Sequence, residues 1–93
     1  MTEYQVEVRV TPREGLLDPQ GKAIAGALHS LGFDGVEDVR VGRLIRMQVR
    51  AADENAARAS ADEMCRKLLA NPVTEDYEIA IRSQPAAGSG SGR

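Results

Sequence analysis

Alternating apolar and polar residues mark three stretches of the sequence, and this is the period of a β-strand with one buried face. In the first stretch, residues 4–10, every second residue is tyrosine or valine. The second stretch, residues 36–49, is divided by Gly42-Arg43, a turn that predicts a hairpin of two strands. The third stretch covers residues 77–82. The patterns therefore predict four strands.

A helical pattern follows the first strand. Asp18 can accept a hydrogen bond from a free N–H group of the first turn, and Pro19 suits the first helical position because an N–H there would have no partner. Gly32 tolerates positive φ and suits the position just past the helix end, and we expect Phe33 to fold back onto the last turn. The apolar side chains recur at helical spacing, which predicts one buried face: Ile24, Ala27, Leu28 and Leu31.

A second helical pattern lies between the hairpin and the last strand. Asp53 is suited to cap its start, and Asn71-Pro72 ends it. The segment between them is rich in alanine, a good helix former. Its predicted buried stripe consists of Ala57, Ala61, Met64 and Leu68.

The order strand, helix, strand, strand, helix, strand is that of a ferredoxin-like βαββαβ domain of the α+β class. Because each helix has one apolar stripe, we expect a two-layer sandwich with both helices on one face of an antiparallel sheet. The domain covers residues 1–83, and the tail 84–93, rich in glycine and serine, is predicted to be disordered. The polar sheet face would carry Gln5, Glu7, Arg9, Arg46, Gln48, Arg50, Glu78 and Arg82.

The composition argues against several classes of partner. The net charge of -2 lacks the excess of positive charge that nucleic acids and anionic membranes attract. No apolar run approaches the length of a membrane span, and the start of the sequence lacks the layout of a signal peptide, so we expect a cytoplasmic protein. With 93 residues, the chain has a small core that self-association would help.

The residues that could support catalysis are few. Cys65 and His29 are the obvious pair, but Cys65 lies next to the apolar stripe in the last half of a helix, where the macrodipole disfavours a thiolate. One cysteine and one histidine are also too few for a typical zinc site. Two tyrosines and one phenylalanine do not suffice for the stacking platform of an RNA-binding module. The residues therefore predict no catalytic and no metal site.

Three other possibilities stay open at this point. Arg13 with Gln20 is the nearest match to an acylphosphatase-like site, although the segment lacks a glycine-rich cradle. Gly15 and Gly21 would permit the close approach of a small ligand, as in a stand-alone regulatory domain. A group of arginines around the hairpin could contact a phosphate or a protein carboxylate: Arg40, Arg43, Arg46 and Arg50.

Three longer segments resemble one known family, the PurS subunits of phosphoribosylformylglycinamidine (FGAM) synthase. They are VEVRVTPREGLLDPQGKAIAGALHSLGF, VRVGRLIRMQV and MCRKLLANPVTEDYEI, and the likeness runs from about Tyr4 to Ile81. Residues 17–21, the turn at 41–43 and residues 68–77 occur together in the family's order and spacing. Arg43 stands where the family often has lysine, which preserves the charge, and the tail after Arg82 is peculiar to this sequence.

The resemblance implies a complex of three proteins in purine biosynthesis. A glutaminase subunit releases ammonia, and a synthetase subunit uses ATP and magnesium to join it to formylglycinamide ribonucleotide. The PurS subunit is implied to be a homo-oligomer, a dimer or tetramer, that bridges the two enzymes and supports ammonia transfer without catalytic residues or cofactors of its own. This chain is thus expected to be a required, non-catalytic subunit of an ATP-dependent ligase.

The same resemblance suggests which residues contact partners. They fall at the turn before the first helix, at the hairpin and at the exit of the second helix. The predicted contacts are Asp18, Pro19, Gln20, Gly21, Arg43, Asn71, Pro72 and Asp76.

Overall fold

The computed structural model describes residues 1–16 and 18–83. Within them the chain forms three strands, two α-helices and a π-helical turn. Leu17, which belongs to the segment that carries the family resemblance, and the predicted disordered tail 84–93 lie outside the described residues. The elements are β1 (Thr2–Pro12), α1 (Pro19–Ser30), β2 (Arg43–Ala51), α2 (Glu54–Met64), the π turn (Cys65–Leu69) and β3 (Glu75–Ser83).

The strands form an antiparallel sheet in the order β2-β1-β3. Val6 lies opposite Met47 of β2 and Ile81 of β3, and Val8 lies opposite Ile45 of β2. Since side chains alternate between the two faces of a sheet, this register brings the apolar residues of all three strands to one face. The predicted α+β class and antiparallel sheet are confirmed.

The core lies between this apolar face and α2. Three valines of β1 have no exposed surface, and neither do Ala57 and Ala61 of α2. Burial of each valine stabilises the fold by about 1.5 kcal/mol or more. Asp53 caps α2 as predicted, since its Oδ1 accepts from the Ala56 N–H at 2.8 Å. The valines are Val6, Val8 and Val10.

The opposite face of the sheet is polar, as the alternation predicted. Arg46 donates to Glu7 across β1 and β2 at 3.1 Å. Arg50 lies 3.7 Å from Glu3, and the pair Gln5 and Gln48 lies between these two ion pairs on the same face. These exposed pairs contribute little to stability, about 0–1 kcal/mol each.

The end of the second helix differs from the prediction at Leu68. The Ala70 N–H donates to the Cys65 carbonyl oxygen, five residues earlier, at 3.0 Å, so the last turn is π-helical. The wider turn rotates the residues that follow it relative to the α-helical stripe. Leu68 is therefore 83% exposed, and Leu69 packs against the core instead.

Helix α1 begins and ends as the sequence predicted. Asp18 caps its start, and Gly32 beyond its end has φ +98°. The Gly32 N–H donates to the His29 carbonyl oxygen, and the Phe33 N–H donates to that of Leu28, both at 3.0 Å. This pair of bonds is a Schellman motif, which the left-handed conformation of Gly32 allows.

The prediction that both helices cover the sheet is met by α2 alone. Within the described residues, α1 forms no packed interface with a strand or with α2. The predicted strand at 36–41 is also wrong, because these residues form no strand and β2 pairs with β1 rather than with them. The Val41 N–H bonds to the Asp18 side chain instead of a neighbouring strand. The sheet of the described residues therefore has three strands instead of the four of the predicted βαββαβ order.

Candidate protein-interaction site

Asp18 joins the start of α1 to the segment that precedes β2. Its Oδ1 accepts from the Gly21 N–H at 3.0 Å, and its Oδ2 accepts from the Val41 N–H at 2.9 Å. The bond from Gly21, followed by that from Val41, lowers the pKa of Asp18 from its ordinary value. Pro19 occupies the first helical position. The predicted turn therefore has a structural role within the chain, since one carboxylate fixes two segments.

Gly21 makes this junction possible because it has no side chain. A Cβ atom at this position would overlap the carbonyl oxygen of Val39 and lie 2.7 Å from Oδ2 of Asp18. The close approach of backbone to backbone therefore requires glycine. Gln20, the neighbouring predicted contact, is exposed on the first turn of α1.

Arg43, the first residue of β2, forms hydrogen bonds to the π turn and to β3. Its Nη1 donates to Oε2 of Glu75 at 3.0 Å, and its Nη2 donates to Oε1 at 3.1 Å and to the carbonyl oxygen of Leu69. Oε1 of Glu75 also accepts from the Asn71 N–H at 2.8 Å. The hydrogen bonds from Arg43 and then Asn71 lower the pKa of Glu75. Arg43 thus ties β2 to both ends of the connection between the π turn and β3, while half of its side chain stays exposed.

Arg13 makes an equivalent connection from the end of β1. One Nη donates to the carbonyl oxygen of Pro72 at 2.6 Å, and Nε lies 3.4 Å from a carboxylate oxygen of Asp76. The Arg13 N–H also donates to the Thr74 carbonyl oxygen at 2.9 Å. The connection between the π turn and β3 is therefore held by two arginines, one directly after β1 and one at the start of β2.

These contacts define one surface at the end of the sheet where β1 ends and β2 and β3 begin. We call it the strand-end surface: residues 12–16 and 71–76 together with Arg43. An open depression of about 580 Å³ lies within it, lined by Pro12, Gly15, Leu16, Thr74 and Glu75. A second depression of about 350 Å³ shares Pro12, Gly15 and Leu16 and extends to Asp18 and Gly21.

The structure thus brings four predicted contact residues, Arg43, Asn71, Pro72 and Asp76, onto one surface, and it places the Asp18–Gly21 turn beside that surface. It adds residues that the sequence interpretation missed as possible partner contacts. Leu16 is 47% exposed and Val73 is 76% exposed, although both are apolar. Val73 lies between Asn71-Pro72 and Glu75-Asp76, so its position within a matched segment was the available signal.

The histidine and cysteine considered for catalysis have different surroundings. His29 Nε2 lies 2.8 Å from the carbonyl oxygen of Val36, just beyond α1. Cys65 is fully buried in the core. Burial and then the negative charge of Asp62 raise the pKa of this thiol, so a thiolate is disfavoured.

Among residues 1–16 and 18–83, there is no group of three or more His, Cys, Asp or Glu side chains that could hold a metal ion. The same residues contain no helix long and apolar enough to cross a membrane.

Comparison with known proteins identifies the family. The model of the PurS family, described as phosphoribosylformylglycinamidine (FGAM) synthase, matches residues 5–83. The phosphoribosylformylglycinamidine synthase subunit PurS of Synechocystis is 45% identical over 84 residues, which is 90% of this chain and 84% of the relative.

Solved structures agree with the family match. Bacillus subtilis PurS superposes with a TM-score of 0.78 at 41% identity, covering 86% of this chain and 99% of that chain. A chain in the structure of PurLQS from Thermotoga maritima superposes with a TM-score of 0.81 at 29% identity, covering 88% of this chain and all of that one. These matches favour the family resemblance over a stand-alone ligand-binding domain. The chain belongs to the PurS family of phosphoribosylformylglycinamidine synthase subunits.

Proposed function

We propose that this chain is a non-catalytic subunit of FGAM synthase that joins a glutaminase subunit and a synthetase subunit. In this role it contributes contact surfaces rather than reacting groups. The strongest support is the likeness to a chain in PurLQS of Thermotoga maritima, because that chain is matched over its whole length.

The strand-end surface has the composition of a contact site. Two apolar side chains, Leu16 and Val73, are exposed there. Around them, Arg13 pairs with Asp76, and Arg43 pairs with Glu75. Apolar groups framed by fixed polar ones are typical of protein interfaces. Because the ion pairs hold the connection in place, a partner would bind without first ordering it.

Assembly matters chemically because ammonia is the shared intermediate of the two enzymes. Ammonia released by a glutaminase is protonated or lost if it reaches bulk water, so its transfer benefits from an enclosed path. We assign ATP and magnesium to the synthetase subunit and no cofactor to this chain. The whole complex would act in the cytoplasm.

We also propose that the chain is a homo-oligomer, either a dimer or a tetramer. The supporting observation is that α1 leaves apolar side chains uncovered, with Leu31 72% exposed and Phe33 just beyond the helix 56% exposed. Contiguous exposed apolar side chains mark surfaces that another chain covers. The balanced charge, -2 overall, favours protein partners over nucleic acid or membrane.

Sedimentation velocity of the three purified proteins tests the proposed assembly. We expect native chain to enter a complex with both enzymes and Val73→Asp or Leu16→Asp chain to enter it poorly, because a buried, unpaired carboxylate opposes association. Leu44→Asp is the matched control: Leu44 is 48% exposed, close to Leu16 at 47%, but lies on the polar sheet face. Undiminished assembly of both strand-end variants would exclude this surface, and failure of the native chain to assemble would exclude the function.

A further inference from the structure

Strand β3 forms one edge of the sheet, and half of its backbone polar groups point away from β1. Opposite residues of an antiparallel pair alternate between pairs that exchange both backbone hydrogen bonds and pairs that exchange none. The Arg13 N–H donates to the Thr74 carbonyl oxygen at 2.9 Å, so the bonded pairs continue with every second residue of β3, from Asp76 to Arg82. The residues between them direct their N–H and C=O groups to the open edge: Tyr77, Ile79 and Ile81.

Arg58 of α2 covers one of these outward groups. Its Nη1 donates to the Ile79 carbonyl oxygen at 3.1 Å, which agrees with the outward direction of that carbonyl. The arginine side chain is 48% exposed, and it also lies 3.7 Å from Glu54 in an ion pair. Because water competes for both contacts of a half-exposed side chain, the N–H of an incoming strand can replace the guanidinium at Ile79.

A groove of about 410 Å³ lies beside the open edge, between α2 and β3. Its α2 wall consists of residues three and four positions apart, which share one face of the helix. The Tyr77 hydroxyl donates to Oδ1 of Asp62 at 2.6 Å and ties the strand to the helix. A strand added to an edge projects every second side chain into a groove of this kind. The lining residues are Asn55, Arg58, Ala59, Asp62, Tyr77 and Ile79.

The groove offers one positive charge to an incoming side chain. Asp62, its carboxylate, accepts from Tyr77 through one oxygen and lies 3.1 Å from Arg66 through the other. Once the N–H of an added strand binds the Ile79 carbonyl oxygen, the Arg58 guanidinium can pair with a carboxylate of that strand. The groove therefore favours an extended segment with an acidic side chain that faces α2.

A second copy of this chain would satisfy that charge less well. At the centre of β3, the side chains on the α2 side of the sheet are Tyr77, Ile79 and Ile81, and none of them is acidic. The position of the edge points to a partner enzyme instead. Strand β3 begins with Glu75 and Asp76, which belong to the strand-end surface, so a protein bound there lies next to the open edge.

We propose that β3 takes up an extended segment of a partner enzyme as an additional strand, with an acidic side chain of that segment against Arg58. Backbone hydrogen bonds to β3 supply affinity, and the ion pair with Arg58 supplies selectivity. Until the segment binds, Arg58 protects the edge from unspecific strand pairing. The inference rests on the proposed function, because the segment belongs to the enzyme that binds the strand-end surface.

Hydrogen exchange of single amides in the full chain tests the added strand. In the chain alone, we expect fast exchange of the Tyr77, Ile79 and Ile81 N–H groups, whereas β1 protects those of Glu78 and Ala80. With both enzymes present, the first three amides should exchange at least about tenfold more slowly, and the other two should not change. This alternation distinguishes an added strand from a surface that is merely covered.

The other outcomes of the exchange experiment separate the alternatives. Unchanged exchange in a complex that forms would overturn the inference and leave the proposed function in place. Protection of the three outward amides without the enzymes would overturn it in favour of a second copy. Failure of the complex to form would contradict the proposed function and the inference with it.

Reversal of the charge at Arg58 tests the acidic side chain of the segment. We expect Arg58→Glu to raise the dissociation constant of the complex about tenfold or more in sedimentation velocity, because two carboxylates then oppose each other. Arg50→Glu is the matched control: Arg50 also forms an exposed ion pair, but it lies on the polar face of β2 and should tolerate the change. Circular dichroism checks that both variants fold. Equal assembly of the two variants would overturn the contact between Arg58 and an acidic segment.

Discussion

Arg43 and Glu75 are 32 residues apart in the sequence and are joined by two parallel hydrogen bonds, at 3.0 and 3.1 Å. The pair connects the first residue of β2 to the first residue of β3, across the end of β1. Arg43 was predicted to contact a partner, and the bonds that the structure shows for it are intramolecular and organise the strand-end surface. Replacement of Arg43 should therefore affect stability as well as assembly.

This pair should contribute measurably to the free energy of unfolding of the chain. We expect Arg43→Ala to lower the free energy of unfolding by about 1 kcal/mol, because the bidentate geometry is favourable but the arginine is half exposed. Urea denaturation of the native chain, Arg43→Ala, Glu75→Ala and the double variant completes a double-mutant cycle, which separates the energy of the interaction from other effects of each substitution. Purely additive single effects would contradict a direct coupling. Arg43→Lys is the conservative comparison, since it keeps the charge and loses the two-pronged geometry.

The second prediction concerns the pH dependence of stability. The Arg43 and Asn71 bonds lower the pKa of Glu75 in the folded chain relative to the unfolded chain. Their stabilisation is therefore complete above the ordinary glutamate pKa of about 4.5 and is lost as the pH falls through the lowered pKa. We expect the urea midpoint of the native chain to fall more steeply below pH 4.5 than that of Glu75→Gln chain. Equal pH profiles would show that Glu75 does not titrate with folding.

The third prediction uses two glycines of α1 as a matched pair. Gly21→Ala should destabilise the chain by about 1–3 kcal/mol, because the added Cβ overlaps the Val39 carbonyl oxygen. Gly26→Ala should stabilise it by about 0.5–1 kcal/mol, because nothing lies within 4 Å of the new Cβ and alanine favours the helix. Thermal unfolding of both variants gives the comparison. A neutral or stabilising Gly21→Ala would contradict the close approach of α1 and residues 36–41.

Local signals in the sequence predicted the ends of α1 and the start of α2 correctly. The capping bonds of Asp18, Gly32 and Asp53 are to residues three positions away, so a short stretch of sequence suffices to predict them. The alternation of Val6, Val8 and Val10 likewise identified the buried face of β1. These are the cases in which a short segment contains all the groups that determine its conformation.

Longer-range and competing contacts account for the differences. The segment 36–41 has the alternating pattern of a strand. However, the Val41 N–H donates to the Asp18 carboxylate, 23 residues away, and no strand pairs with the segment. The π turn at Cys65 shifts Leu68 out of a stripe that regular α-helical spacing would place it in. The predicted buried face of α1 is wrong within the described chain, since Ile24 and Leu31 are 39% and 72% exposed and α1 packs against no strand there.

The candidate site could be predicted in part, because some of its residues lie in short segments and others are brought together by distant contacts. The family resemblance selected Asn71, Pro72 and Asp76, which the structure gathers at one end of the sheet. The role of Arg13, which binds Pro72 and Asp76, required the register of β1 and β3, which pairs Pro12 with Glu75. A local sequence pattern cannot predict that register, because it pairs residues that are far apart in the sequence.

The proposed passage of ammonia from a glutaminase to a synthetase with the help of this chain is tested directly by one measurement. FGAM formation by the two cognate enzymes is followed with glutamine or with ammonium as the nitrogen source, in the presence and absence of this chain. We predict that glutamine-driven turnover requires the chain and that ammonium-driven turnover does not. If the chain changes neither reaction and sediments with neither enzyme, the claim is contradicted.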